Sequence, residues 1–280
     1  MKLGVCQWSL PVDGPYAIKT IADLGLKGIQ LDIGSHDRGF PLSLQVVQEA
    51  YKEFTEKYGV TITALAVREL DNYGMTRKDG TPEKEIVLQA ISKAIEIANS
   101  MEVPIVMLAS FEDGEIKTEQ DFNTVVDCLK NACDEAEKYG LMIATENLLS
   151  IEETKKLFKL VDRPNLKLYF DTQNYYLRKN YNTAEMVREL FPYICEVHVK
   201  DGADGSLSGS LLGEGDSGFF ETMEVLKEKG YSGWLHLENY YDQLPLSLQD
   251  TDPMELLKKD ISILENVVFE TANETSTSLK

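Results

Sequence analysis

The stretch YSGWLHLEN, residues 231–239, reads as a strand whose two sides differ in chemistry. Trp234, His236 and Glu238 fall on one side, Leu235 and Leu237 on the other, because successive side chains of a strand alternate. The leucine side suits a covering layer of helices. The other side ends in an imidazole and a carboxylate, and burying an ionised carboxylate without a partner costs several kcal/mol.

Working outward from this stretch, seven more short apolar runs are found, at 3–9, 28–34, 60–67, 104–110, 141–147, 166–172 and 194–201. Between them lie stretches with apolar residues three and four apart, such as YAIKTIADLGL, EIVLQAISKAIEIANSM, DFNTVVDCLKNACDEAEKYG and FETMEVLKEKG. Several close on a glycine before the next strand (Gly25, Gly59, Gly140, Gly230), and Asp252–Pro253 reads as the start of a last helix. Eight strand–helix units without a linker predict an α/β fold, a (β/α)8 TIM barrel forming one domain over residues 1–270. Residues 271–280 are polar and small and read as a flexible tail. A doubly wound sheet would carry a glycine-rich phosphate loop after its first strand, and CQWSLPVDGPY has none.

In such a barrel the active site gathers at the carboxyl ends of the strands. Strands five to eight place Glu146, Asp171, His198 and Glu238 at that level, facing inward. Three carboxylates converging on one point repel unless protons or a cation neutralise them, and a divalent ion is the simplest partner. Three oxygen ligands with one imidazole suit Mn²⁺, Mg²⁺ or Co²⁺, with Zn²⁺ also within reach. Trp8, His36, Glu69, Tyr175 and Lys200 fall at or past strand ends, where they can wall a substrate pocket. LLGEGDSGF (211–219) occupies the position of a barrel phosphate loop, but Glu214 and Asp216 within it favour a structural turn. Lower in the barrel, Lys167 and Glu196 read as an ion pair closing its floor.

Composition sets outer limits. The 280 residues include 28 basic and 47 acidic side chains, a formal charge of −19, which disfavours nucleic acid and anionic membranes as partners. Cys6, Cys128, Cys133 and Cys195 form no CxxC pair and read as buried thiols of a reducing compartment. No apolar run reaches the roughly 20 residues of a membrane span, and the N-terminus lacks a signal-peptide pattern, so a cytoplasmic protein is expected. Homo-oligomer formation is left open.

The ordered segments LGVCQWSL, ATEN, FDTQN, EVHVKDG, LLGEGDSGF and GWLHLEN resemble the xylose isomerase-like TIM-barrel superfamily. That superfamily holds sugar isomerases and epimerases, inosose dehydratases, ketose 3-epimerases and endonuclease IV. The resemblance implies that Glu146, Asp171, His198 and Glu238 bind one divalent ion, and that Glu146 and Glu238 also act as paired acid and base. Asn174 stands where ketose 3-epimerases carry a histidine, and Asp204 where they carry an arginine, so the ketose 3-epimerase branch fits poorly. Asn174 joins Trp8, His36 and Lys200 as an expected substrate-binding residue. Three histidines in all, with the acidic charge, argue against an endonuclease. The expectation is a metal-dependent sugar or sugar-phosphate isomerase or epimerase working through an enediolate on a small sugar or polyol. The alternative is a lyase or dehydratase acting on keto-sugars or keto-inositols.

Overall fold

The computed structural model describes residues 1–269, and the tail expected at 271–280 lies outside them. Eight strands, β1 (Lys2–Cys6), β2 (Gly28–Asp32), β3 (Thr61–Ala66), β4 (Ile105–Ala109), β5 (Met142–Glu146), β6 (Leu166–Asp171), β7 (Ile194–Val199) and β8 (Trp234–Leu237), form the sheet. All are parallel, each pairs with the next, and β8 pairs with β1, so the barrel closes. Seven strands lie inside the stretches expected from sequence, and β1 begins one residue earlier.

The helices that cover the barrel are α1 (Tyr16–Asp23), α2 (Gln45–Tyr58), α3 (Pro82–Met101), α4 (Glu119–Glu137), α5 (Ile151–Val161), α6 (Asn174–Lys179), α7 (Thr183–Leu190), α8 (Phe219–Glu228) and α9 (Pro253–Phe269). Their ends follow local chemistry. Thr118 with Asp121 and Ser150 with Glu153 form capping boxes that satisfy the first amides of α4 and α5. Gly59, at φ 66°, ends α2 in the left-handed conformation that costs glycine least. The Asp252 carboxylate accepts from Met254 N at 2.8 Å at the start of α9. The leucines at 235 and 237 meet the helix layer as the alternation demands, in one core with Leu168, Val197 and Val199.

Inside the barrel lies a smaller cluster that includes Ala64, Ala66, Met107, Ala144 and Tyr169. The bulky side chains that β8 sends inward require an absence opposite them. A Cβ on Gly4 would lie 2.7 Å from His236 Cδ2, so β1 can pass the imidazole only as glycine.

The barrel floor differs from the expected Lys167–Glu196 ion pair. The sheet register slips between Leu168 and Tyr169, which sets Tyr169 opposite Glu196. Tyr169 OH and Thr63 Oγ1 then donate to Glu196 Oε2 at 3.0 and 3.3 Å. His236 sits among the same groups, 3.0 Å from Tyr169 OH through Nδ1 and 2.8 Å from Thr63 Oγ1 through Nε2. Lys167 makes no ion pair among the described residues. Burial pushes the Glu196 carboxyl up to about 7 and holds His236 well below its ordinary value, so a neutral imidazole there shares a hydrogen-bonded network with a carboxyl of raised proton affinity.

Candidate metal centre and active site

Glu146 and Asp171 end β5 and β6, His198 is the penultimate residue of β7, and Glu238 follows β8 directly. The strand register carries them to one level: Asp171 lies opposite His198, and Glu238 N is bonded to Val199 O at 3.0 Å. One ligand atom from each of the four residues lies within 4.8 Å of all the others, and all four side chains are buried.

The imidazole orients the set. His198 Nε2 faces Gln30 Oε1 at 2.6 Å, so this nitrogen carries the proton. Nδ1 faces Glu146 Oε1 at 3.2 Å, Glu238 Oε2 at 3.3 Å and Asp171 Oδ2 at 4.0 Å, and against the pull of burial the charges of Glu238 and Glu146 hold the ring protonated well above its ordinary range. A histidine held through its far nitrogen by a carbonyl oxygen, its near nitrogen turned to the carboxylates, is oriented as a metal-binding imidazole would be once an ion displaced the Nδ1 proton.

Asp171 supplies a further test of fit. Its Oδ1 accepts from Gln173 N at 2.7 Å and Asn174 N at 2.5 Å, which starts α6. Its Oδ2 is buried and meets the Lys200 ammonium in an ion pair at 2.9 Å. Lys200 Nζ also donates to Glu238 Oε2 at 2.7 Å. Three buried carboxylates outnumber the cations the chain supplies there, and a divalent ion held by them with Nδ1 would offset the remaining repulsion. The residues therefore fit one divalent ion.

Electrostatics separate the two glutamates. Burial pushes the Glu146 carboxyl up, reinforced by Asp171 and Glu238 and opposed by His198. Burial pushes Glu238 the same way, but the charges of His198 and Lys200, with hydrogen bonds from Lys200 and Trp8, outweigh it and hold the carboxyl down. Lys200 is also buried, and Asp171, Glu238 and Glu146 keep its ammonium protonated well above the usual range. Two carboxyl groups with opposed proton affinities on one site are the usual arrangement for an acid and a base.

Above the set opens a cavity of about 370 Å³, within the range of small-molecule sites. Of the residues expected to bind substrate, Trp8, Asn174 and Lys200 line it and His36 does not. Trp8 Nε1 donates to Glu238 Oε1 at 2.9 Å, and Asn174 Nδ2 reaches Glu146 Oε1 at 3.4 Å. His36 turns edge-on to Phe40, and its backbone N is bonded to buried Glu69 at 3.1 Å. Tyr175 is fully buried beside Phe170.

Sequence reasoning missed Gln30, Arg68 and Asp71. The signal for Gln30 is present in GIQLDIG, where it falls on the face opposite Ile29, Leu31 and Ile33, together with Asp32. Arg68 and Asp71 sit in a short helical turn, Arg68–Asp71, after β3. The Arg68 guanidinium lies 5.1 Å above the Trp8 ring, a position no spacing in the sequence reveals.

The model of the xylose isomerase-like TIM barrel family matches residues 18–267, and the chain belongs to that family. The 2-epi-5-epi-valiolone 7-phosphate 2-epimerase of an Actinoplanes species is 28% identical over 227 residues, 81% of this chain and 82% of that protein. Among solved structures, a xylose isomerase domain protein from Planctomyces limnophilus has a TM-score of 0.77 at 18% identity, covering 98% of each chain. The D-psicose 3-epimerase of Clostridium cellulolyticum H10 has a TM-score of 0.77 at 17% identity, over 96% of this chain and 99% of that one. At those identities the two structures testify to the fold. Among the described residues no helix is long and apolar enough to cross a membrane.

Proposed function

We propose that the protein is a divalent-metal-dependent epimerase or isomerase of a small sugar or polyol, with Glu146 and Glu238 exchanging protons with substrate carbon. The observation that carries this reading is the convergence of three buried carboxylates on His198 Nδ1 at the base of a cavity. The names of the Actinoplanes and Clostridium proteins, both epimerases, support it.

Glu146, Asp171, His198 and Glu238 would hold the ion, which supplies Lewis acidity toward a substrate carbonyl and its neighbouring hydroxyl. Manganese, magnesium or cobalt suits this set of donors, and zinc can also occupy it. The protein residues do the rest. Glu238, kept ionised by Lys200 and Trp8, takes the proton from carbon beside the carbonyl. Glu146, whose burial favours the protonated form, returns a proton to the opposite face. Trp8 offers an apolar plane to the sugar, and Asn174 and Lys200 offer donors to its oxygens. The Lys200 ammonium inside the cavity can also protonate a departing hydroxyl, and elimination after the same first step would make the enzyme a lyase.

Metal titration tests the reading directly. Wild type is expected to bind one Mn²⁺ per chain, and His198→Ala, which removes the only nitrogen donor, is expected to bind it at least tenfold more weakly. Equal affinity in the two proteins would refute the assigned site.

A further inference from the structure

We infer that the substrate carries no phosphate and is a neutral ketose or keto-polyol. This rests on the epimerase reading and adds the substrate class. The loop after β7 and the helix start that follows it are where a TIM barrel commonly binds a phosphate. In this chain that place is filled by the protein's own anion.

Asp201, two residues beyond β7, is fully buried. Its Oδ1 accepts from Gly202 N at 2.9 Å, Ser217 Oγ at 2.7 Å and Ser217 N at 3.4 Å, and its Oδ2 from Gly213 N at 2.9 Å and Gly215 N at 3.1 Å. Successive backbone amides turned on one point form a nest for an anion. The fit leaves no spare room, since a Cβ on Gly215 would lie 2.2 Å from Asp201 Oδ1. The donors a phosphate would need are already used by a carboxylate of the chain.

The cavity gives an independent reason. Of its four lining cations, Arg178 is paired with Glu112 at 2.9 Å, Lys117 with Glu115 at 3.2 Å, and Lys200 with Glu238 at 2.7 Å. Arg68 makes no ion pair among the described residues, and Asp71, which also lines the cavity, has one buried oxygen without a donor. Among the described residues Arg68 is thus the one lining cation outside an ion pair, and Asp71 on the same wall stands against its charge, so the cavity offers no cluster of free cations for a phosphate dianion, whereas Arg68 and Asp71 together give a donor and an acceptor for hydroxyl groups.

The test compares matched ligands on the metal-loaded wild-type protein by calorimetry: D-fructose with D-fructose 6-phosphate, D-tagatose with D-tagatose 6-phosphate, and inorganic phosphate alone. The expected result is at least tenfold tighter binding of the neutral member in one or both pairs and no binding of phosphate. Equal or tighter binding of the esters, or no binding of either sugar, would overturn the inference. A second measurement uses Asp201→Ala, in which phosphate is expected to raise the melting temperature while leaving wild type unmoved. An equal response of the two proteins would also overturn it, and if the variant does not fold the matched pairs decide alone. Neutral sugars that bind more tightly yet never exchange a carbon-bound proton with solvent would leave this inference standing and remove the epimerase reading.

Discussion

Glu238 poses the residue-scale problem of a buried carboxylate that needs a partner, and the structure gives it two from the chain itself, Lys200 at 2.7 Å and Trp8 at 2.9 Å. Its position was legible because strand alternation decides which side a residue takes. Its bond to Trp8 was not, because Trp8 approaches from the short turn after β1, and separation in sequence says nothing of distance. The same lesson holds at the floor, where Glu196 was expected to meet Lys167 and instead accepts from a tyrosine and a threonine after a register slip no local pattern reports. Glu196 yields a pH prediction. Its folded pKa, pushed up by burial to about 7, exceeds the ordinary carboxyl value, so the native state keeps a proton that the unfolded chain loses first. Its contribution is complete below about pH 4.5 and is lost as pH rises through about 7, on the order of 3 kcal/mol in all. His236, held down, opposes this in the acid range, so the contribution is read as a difference. Between pH 5 and pH 8 wild type should lose more stability than Glu196→Gln in urea titrations, and parallel curves for the two would contradict the assignment.

At the scale of elements, strand positions were legible to within a few residues because period-two patterns and helix-stop glycines bound each one. The short helix α6 was not, since it starts on the Asp171 carboxylate, a tertiary feature of the site as much as a local cap. The loop 211–219 was read correctly as a structural turn, although the reason lies in Asp201, outside the segment. Two substitutions separate surface capping from interior fit. Ser150→Ala removes the capping box of α5 and should cost about 1 kcal/mol. Gly4→Ala drives a methyl group toward the His236 ring and should cost up to about 3 kcal/mol. Thermal melting should therefore show the larger drop for Gly4→Ala, and the reverse order would show that the barrel interior yields more easily than its close fit implies.

At the scale of the molecule, a barrel that closes β8 on β1 brings residues 92 positions apart in sequence, Glu146 and Glu238, to one point. Closure is what gathers four strand ends into one set that fits a metal ion, and it was legible because eight units, and no linker, were present. The substrate class was not legible, because the residues from which it is inferred, Arg68, Asp71 and Asp201, take their meaning from charges gathered from several loops. The central claim is that Glu146 and Glu238 move protons at carbon, and solvent deuterium uptake measures that step itself. With metal-loaded enzyme and a turned-over ketose or keto-polyol in D₂O, wild type should place deuterium on the carbon beside the carbonyl. Glu146→Gln and Glu238→Gln, folded and still able to bind sugar, should slow that uptake by roughly 10²-fold or more, as loss of a general base does. Uptake at the wild-type rate in both variants would contradict the account.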